Sequence, residues 1–193
     1  MESKELKMIK AAECALQIIA NDGLEQLSFT RVSKACGISR GWLYKYIGQS
    51  PKALTDFAVD HFGKLFAEMD NRPSVSDLKS WSSAILEGTH QGFMDTDRYP
   101  WIVMIYFRYA HSNTQIGERI RKIDSQYQQV LTAEIERVFS VPRADAAVLA
   151  ETLTSLRLGM SFRWLSPKTR AILGKRQMLD KYIRAWFEAI SQR

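Results

Sequence analysis

The chain has 193 residues, 46% hydrophobic and 25% charged, enough to bury a core without metal or disulfide staples, which excludes a disordered polymer. Lys and Arg number 27 against 21 Asp and Glu, a formal charge of +6 with a pI near 9.4, which favours polyanionic partners such as nucleic acid or a membrane surface. The longest apolar run, Trp101 to Phe107, is far shorter than the roughly 20 residues of a spanning helix, and Cys14 and Cys36 are too few for a disulfide framework.

The start, Met1 to Lys7, carries both charge signs and lacks the apolar stretch of a secretory signal. The expectation is therefore a reduced, cytoplasmic chain without membrane association. The two cysteines are also wrongly spaced for zinc, so neither a metal nor a cofactor is expected.

Apolar positions recur every three to four residues, which predicts helices throughout. Ile9, Ala12, Leu16 and Ile19 form the first face, and Gly23 is placed to end that helix. Ser28 reads as the N-cap of a short helix reaching Cys36, with Val32 and Ala35 turned inward. Gly37 breaks it, and Ser39 caps a second short helix through Tyr46 with Leu43 and Ile47 on its inner side. Ser50 and Pro51 make an N-cap and N1 pair that opens a longer helix over about 51–70.

A connector from Asn71 to Asp77 follows, and Ser76 or Asp77 can start the next helix. Further breaks fall at Asp95 to Pro100 and at His111 to Thr114, the second leading into a long helix ending near Ser140. Pro142 to Leu165 reads as helix, Ser166 and Pro167 stop it, and a last helix spans about Gln177 to Ser191. The expected fold is all-α, with about nine helices in two parts.

Charge is unevenly spread. From residue 26 to residue 55 there is no Asp or Glu, while Arg31, Lys34, Arg40, Lys45 and Lys52 are interleaved with Phe29, Trp42, Tyr44 and Tyr46. Cations among aromatics suit phosphate contacts and packing on base edges. A second acid-free window, Thr152 to Leu179, includes the basic stretch 166–176, so depletion of acids alone does not mark a DNA site.

What distinguishes the first window is a helix pair around a glycine. Ser33 offers the small side chain that a close helix crossing needs, Gly37 can take positive φ, and Val32, Cys36, Ile38 and Leu43 supply a buried side. The run from Met8 to Leu54 resembles the N-terminal domain of TetR-family transcriptional regulators. The resemblance rests on Ile9 with Ala11 and Ala12, Gly23, the cap from Ser28 to Val32, Gly37-Ile38-Ser39, Leu43 and Tyr44 with Tyr46, and Pro51 to Leu54. Three positions depart from the family pattern. Ile47 replaces a usual aromatic, one extra residue lies between Ile47 and Leu54, and Trp42 is bulkier than usual.

The resemblance implies a helix-turn-helix DNA-binding domain over residues 1–54 and a larger effector-binding and dimerisation domain over 55–193. Arg40 in the first turn of the recognition helix would then meet guanine O6 and N7, with Gly41 allowing close approach and Trp42 packing on a thymine methyl or sugar. Tyr44 would reach a base or phosphate, and Lys45, Tyr46 and Lys52 a phosphate. Thr30 and Arg31 would anchor the backbone or reach the groove edge, and the helix starts at Ser28, Ser39 and Ser50 would add amide donors.

The family's last two long helices form a four-helix dimer bundle. Here Leu149, Leu153, Leu156 and Met160 make one stripe on the helix from Pro142, with a second beside it, and Leu179, Ile183, Trp186 and Ile190 lie on the last helix. These residues are the expected homodimer interface; a fully buried monomer core is the alternative. Phe93, Trp101, Met104 and Phe107, with the polar Arg108 and His90, are candidates to line a pocket for an unknown small-molecule effector, while their helical spacing favours ordinary core for most of them. The implied protein is a repressor bound to near-palindromic double-stranded DNA and released by that effector.

Two other readings stay open. One is a ligand-independent DNA-binding regulator or an activator. The other is a helical-bundle metal enzyme, for which Glu87 and His90 have the spacing of half a di-iron site, but no second Glu-x-x-His follows. The sequence also lacks a Walker loop, a dinucleotide turn and a nucleophile elbow, so no catalytic residue is expected.

Overall fold

The computed structural model describes residues 3–68, 77–93, 99–164, 166, 168 and 176–191. Among the described residues there are nine α-helices and no strand. They are α1 (Lys4–Asp22), α2 (Phe29–Cys36), α3 (Arg40–Tyr46), α4 (Pro51–Glu68), α5 (Leu78–Phe93), α6 (Tyr99–Tyr109), α7 (Gln115–Phe139), α8 (Arg143–Trp164) and α9 (Arg176–Ser191). A 3-10 turn, Leu24–Gln26, follows α1.

Most helix starts are set by a polar cap satisfying an orphan amide. Ser3 Oγ accepts from the Leu6 amide at 3.2 Å, Ser28 Oγ from Arg31 at 3.3 Å and Ser39 Oγ from Trp42 at 3.3 Å. Ser50 Oγ accepts from the Ala53 amide at 3.1 Å, with Pro51 as the first helical residue. Asp77 Oδ1 caps α5 through the Ser80 amide at 2.8 Å. That bond holds the Asp77 carboxyl below its ordinary range.

The chain divides into two compact units, Met1–Phe66 with Trp101–Ile123, and Ala67–Pro100 with Asp124–Arg193. The segment 1–54 therefore lies wholly inside the first unit, which also takes in most of α4, most of α6 and the start of α7. Its core combines Ala12, Leu16 and Ile19 of α1 with Val32, Cys36, Ile38, Leu43 and Leu54, all buried. Ala35, expected to face inward, is exposed. Phe29, Val32 and Cys36 share the inner face of α2, and Ala35 lies about a quarter turn away from their centre at 100° per residue.

Polar contacts join the later helices of this unit to the earlier ones. The Leu24 amide donates to the Tyr109 hydroxyl at 2.9 Å, so the end of α6 is tied to the turn after α1. Arg121 Nη1 donates to the carbonyls of Ala110 and Ser112 at 2.8 and 2.9 Å, covering acceptors of the turn that follows α6. Gly117 packs so closely on this turn that a Cβ would sit 2.4–2.5 Å from the carbonyl oxygens of Ser112 and Tyr109.

The second unit has its own core. Trp81 and Ile85 of α5 pack with Leu131 and Ile135 of α7, Ala146, Ala150 and Leu153 of α8, and Phe187 of α9. Trp81 meets Phe139 and Phe187 edge-on at centroid distances of 5.4 and 5.3 Å, a favoured aromatic geometry. Its indole N–H donates to Glu134 Oε2 at 3.2 Å, so the buried ring keeps a partner for its one polar atom.

Candidate nucleic-acid interface

The helix pair α2–α3 is built by its turn. Gly37 closes α2 with φ 71° and ψ 14°, and its amide donates to the Ser33 carbonyl at 3.0 Å. This left-handed conformation costs an L side chain roughly 1–2 kcal/mol, which glycine avoids. Ile38 then turns inward, Ser39 caps α3, and Leu43 is fully buried on its inner side. Leu43 thereby fixes the rotation of α3 and leaves the opposite side of the helix exposed.

Gly41 and Lys45 stand on that side, Tyr44 on its flank, and Arg40 in the first turn, all exposed. Ser28, Thr30 and Ser39 are exposed beside them. Tyr44 is held by an edge contact with Phe29, 4.8 Å between centroids, which keeps its ring at the surface. A Cβ added to Gly41 would meet nothing within 4 Å, so the backbone of α3 is bare there.

Trp42 and Tyr46 are half-buried and pack on each other at 4.6 Å. Three ammonium groups surround these rings: Lys4 lies 4.7 Å and Lys45 5.3 Å from the Tyr46 centroid, and Lys7 5.9 Å from the Trp42 centroid. Lys4 and Lys7 are not among the DNA contacts expected from the sequence. Their signal was present as an i, i+3 basic pair on one face of α1. Together these groups make a positive, aromatic-backed surface whose chemistry suits phosphate groups.

Two of the expected phosphate contacts are engaged within the protein. The Arg31 guanidinium pairs with Asp22 and donates to Gln26 Oε1 at 3.1 Å. Lys52 Nζ donates to Asp56 Oδ2 at 2.6 Å. That hydrogen bond, aided by the charges of Lys52 and Arg119, holds the Asp56 carboxyl below the usual carboxylate range.

The remaining expected sites are spread over both units. Trp101 is buried on α6, whereas Met104, Phe107 and Arg108 are exposed there, Arg108 lying 4.0 Å from Glu25. The side chains of Phe93 and His90 lie outside the described residues. Leu153 is buried in the second unit's core, and Leu149, Ile183 and Trp186 pack partly against it. Together with Ile135, Phe139 and Phe187 these residues, Ile183 excepted, line a narrow and wholly apolar crevice. Leu156 is exposed, and the side chains of Met160, Leu179 and Ile190 fall outside the described residues, as does most of 166–176. Among the described residues no group of three His, Cys, Asp or Glu side chains is placed to hold a metal ion, and no helix is long and apolar enough to cross a membrane.

No protein-family model matches the sequence. The chain is similar to the fatty acid metabolism regulator protein of Bacillus subtilis, 19% identical over 131 residues that cover 68% of this chain and 67% of that one. Among solved structures it is similar to a fatty acid degradation regulator from Bacillus halodurans, at 15% identity and a TM-score of 0.65 over 96% of both chains. A TetR-family transcriptional regulator from Rhodococcus sp. gives 15% identity and 0.64 over 96% of this chain and 98% of that one. Another from Streptomyces coelicolor gives 11% and 0.63 over 96% and 94%.

The fold is that of the TetR-family regulators.

Proposed function

We propose that this chain is a sequence-specific DNA-binding transcriptional regulator, with α3 as its recognition helix. The observation that carries the reading is the arrangement of α3. Leu43 and Ile38 anchor its inner side, while Arg40 in the first turn, Tyr44 and Lys45 stand exposed beside a bare Gly41. Arg40 would read guanine by its planar fork, and Lys45, Lys52, Tyr46, Thr30 and the helix starts at Ser28 and Ser39 would hold the phosphates.

One such headpiece makes few base contacts, so the protein is inferred to bind a near-palindromic site as a homodimer. Exposed apolar residues on α8 and α9, among them Val148, Leu156 and Tyr182, support an interface between copies there. It is further inferred to be a cytoplasmic repressor without enzymatic activity. A small effector would release it by preferring the DNA-incompetent state. Met104 and Phe107, exposed on α6 with Arg108 beside them, suit an effector with an apolar body and an anionic end. The names of the two Bacillus relatives, drawn from fatty acid metabolism and degradation, fit that chemistry.

Selection of bound duplexes from a random pool tests the reading. A recovered consensus bearing two related half-sites supports it, and a pool that stays random refutes it. Sedimentation of the free protein at micromolar concentration tests the dimer, which a monomeric mass would overturn.

A further inference from the structure

Lys52, Asp56 and Asp60 lie at i, i+4 and i+8 on α4, one above another on the same face. Asp56 uses both of its oxygens. Oδ2 accepts from Lys52 Nζ at 2.6 Å, and Oδ1 accepts from Arg119 Nη1 at 2.8 Å. Arg119 is on α7, and its second nitrogen, Nη2, donates to Asp60. Two cations and two carboxylates thus form a balanced chain of charge within the first unit. Both ends are open, the Lys52 side chain 65% and the Asp60 side chain 61% exposed, while Arg119 and Asp56 between them are 33% and 31% exposed.

We propose that Arg119 is a positioning residue for DNA binding, neutralising Asp56 and Asp60 from α7 so that Lys52 can leave Asp56 for a phosphate. The inference rests on the DNA-binding reading above. As Lys52 turns to the duplex, Asp56 loses one of its two cations. Arg119 keeps the carboxylate paired and so removes most of the penalty for giving Lys52 up. Without Arg119, two uncompensated carboxylates would draw Lys52 back and repel the approaching phosphates. The placement of the first turns of α7 therefore sets the phosphate grip of α4, and a state that withdraws Arg119 binds DNA more weakly. Lys52 is the only cation of this chain of charge that would change partners.

The test uses the full-length protein and a short random-sequence duplex, followed by fluorescence anisotropy across a salt series. Arg119→Gln is expected to weaken binding about three- to tenfold, and Asp56→Asn to tighten it about two- to fivefold, as suits partly exposed ion pairs. The double variant should return close to wild type, because removing the carboxylate removes the need for its cation. A fold defect in Arg119→Gln would not be repaired that way. A double variant as weak as Arg119→Gln, or an unchanged Arg119→Gln, overturns the proposal. If Arg119→Gln fails to fold, Asp56→Asn decides alone, and unaltered affinity there also overturns it. A wild-type protein with no affinity for any duplex removes the DNA-binding reading itself, and this inference with it.

Discussion

Alanine at Gly37 and at Gly41 should move the stability of the helix pair in opposite directions, although the space around the two residues is the same. A Cβ at either position meets nothing within 4 Å, so sterics with neighbours drop out. What remains is the backbone. Gly37 sits at φ 71°, where alanine pays roughly 1–2 kcal/mol, offset in part by the 0.4–1 kcal/mol gained from a less flexible unfolded chain. A net loss of about 1 kcal/mol follows. Gly41 lies inside α3 with ordinary helical backbone, so only the favourable part applies, about 0.4–1 kcal/mol.

The assay is amide hydrogen exchange at Leu43 and Ile47, whose N–H groups donate to Ser39 and Leu43 carbonyls at 3.1 and 2.8 Å and report opening of α3. Protection should fall about fivefold in Gly37→Ala and rise about two- to fivefold in Gly41→Ala. DNA affinity should fall in both, since the Gly41 methyl group would stand between α3 and the groove. Shifts of the same sign at the two glycines would refute the backbone argument. A Gly41→Ala protein that is stabilised and binds DNA as well as wild type would refute the close approach.

Three further outcomes are expected. Arg40→Ala should weaken specific far more than non-specific binding, by about 1–3 kcal/mol on the chosen site, while Lys45→Ala should lower the salt slope on any duplex by about one unit; anisotropy titrations separate the two. Gly117→Ala should destabilise the first unit by about 1–3 kcal/mol in urea, because its Cβ would press on two backbone oxygens at 2.4–2.5 Å that no side-chain rotation can move. The Asp56 carboxyl is held low chiefly by the Lys52 hydrogen bond, so its contribution is complete above about pH 4 and disappears as pH falls through the lower folded value. Asp56→Asn should blunt that acid loss in urea midpoints, and an unchanged acid limb would contradict the pairing.

The parts of this fold that the sequence displayed were the local ones. Ser28, Ser39 and Ser50 announce their helices because a cap acts within three residues of itself, and Gly37 announces the turn because its backbone state is its own property. Leu43 was legible as the buried side of α3 for the same reason. Ala35 was misplaced because a small apolar residue carries little information about which way a short helix is rotated; Phe29 and Cys36 decide that here. In the candidate interface, the exposed set on α3 followed from this local geometry. The capture of Arg31 by Asp22 and of Asp56 by Arg119 spans 9 and 63 residues, and such pairings arise only when separate helices pack. The i, i+4 spacing of Lys52 and Asp56 shows half of that chain of charge. Its other half comes from α7, which no local pattern links to α4.

The central claim is that the bare side of α3 reads a base sequence. It is tested most directly by comparing the affinity of the purified protein for a duplex recovered by selection with that for a scrambled duplex of equal length, at one physiological salt concentration. The account predicts that the selected duplex binds at least about a thousandfold more tightly. Arg40→Ala should erase much of that preference while leaving the scrambled duplex nearly unaffected. Equal affinity for the two duplexes, or a preference that Arg40→Ala leaves intact, would contradict it.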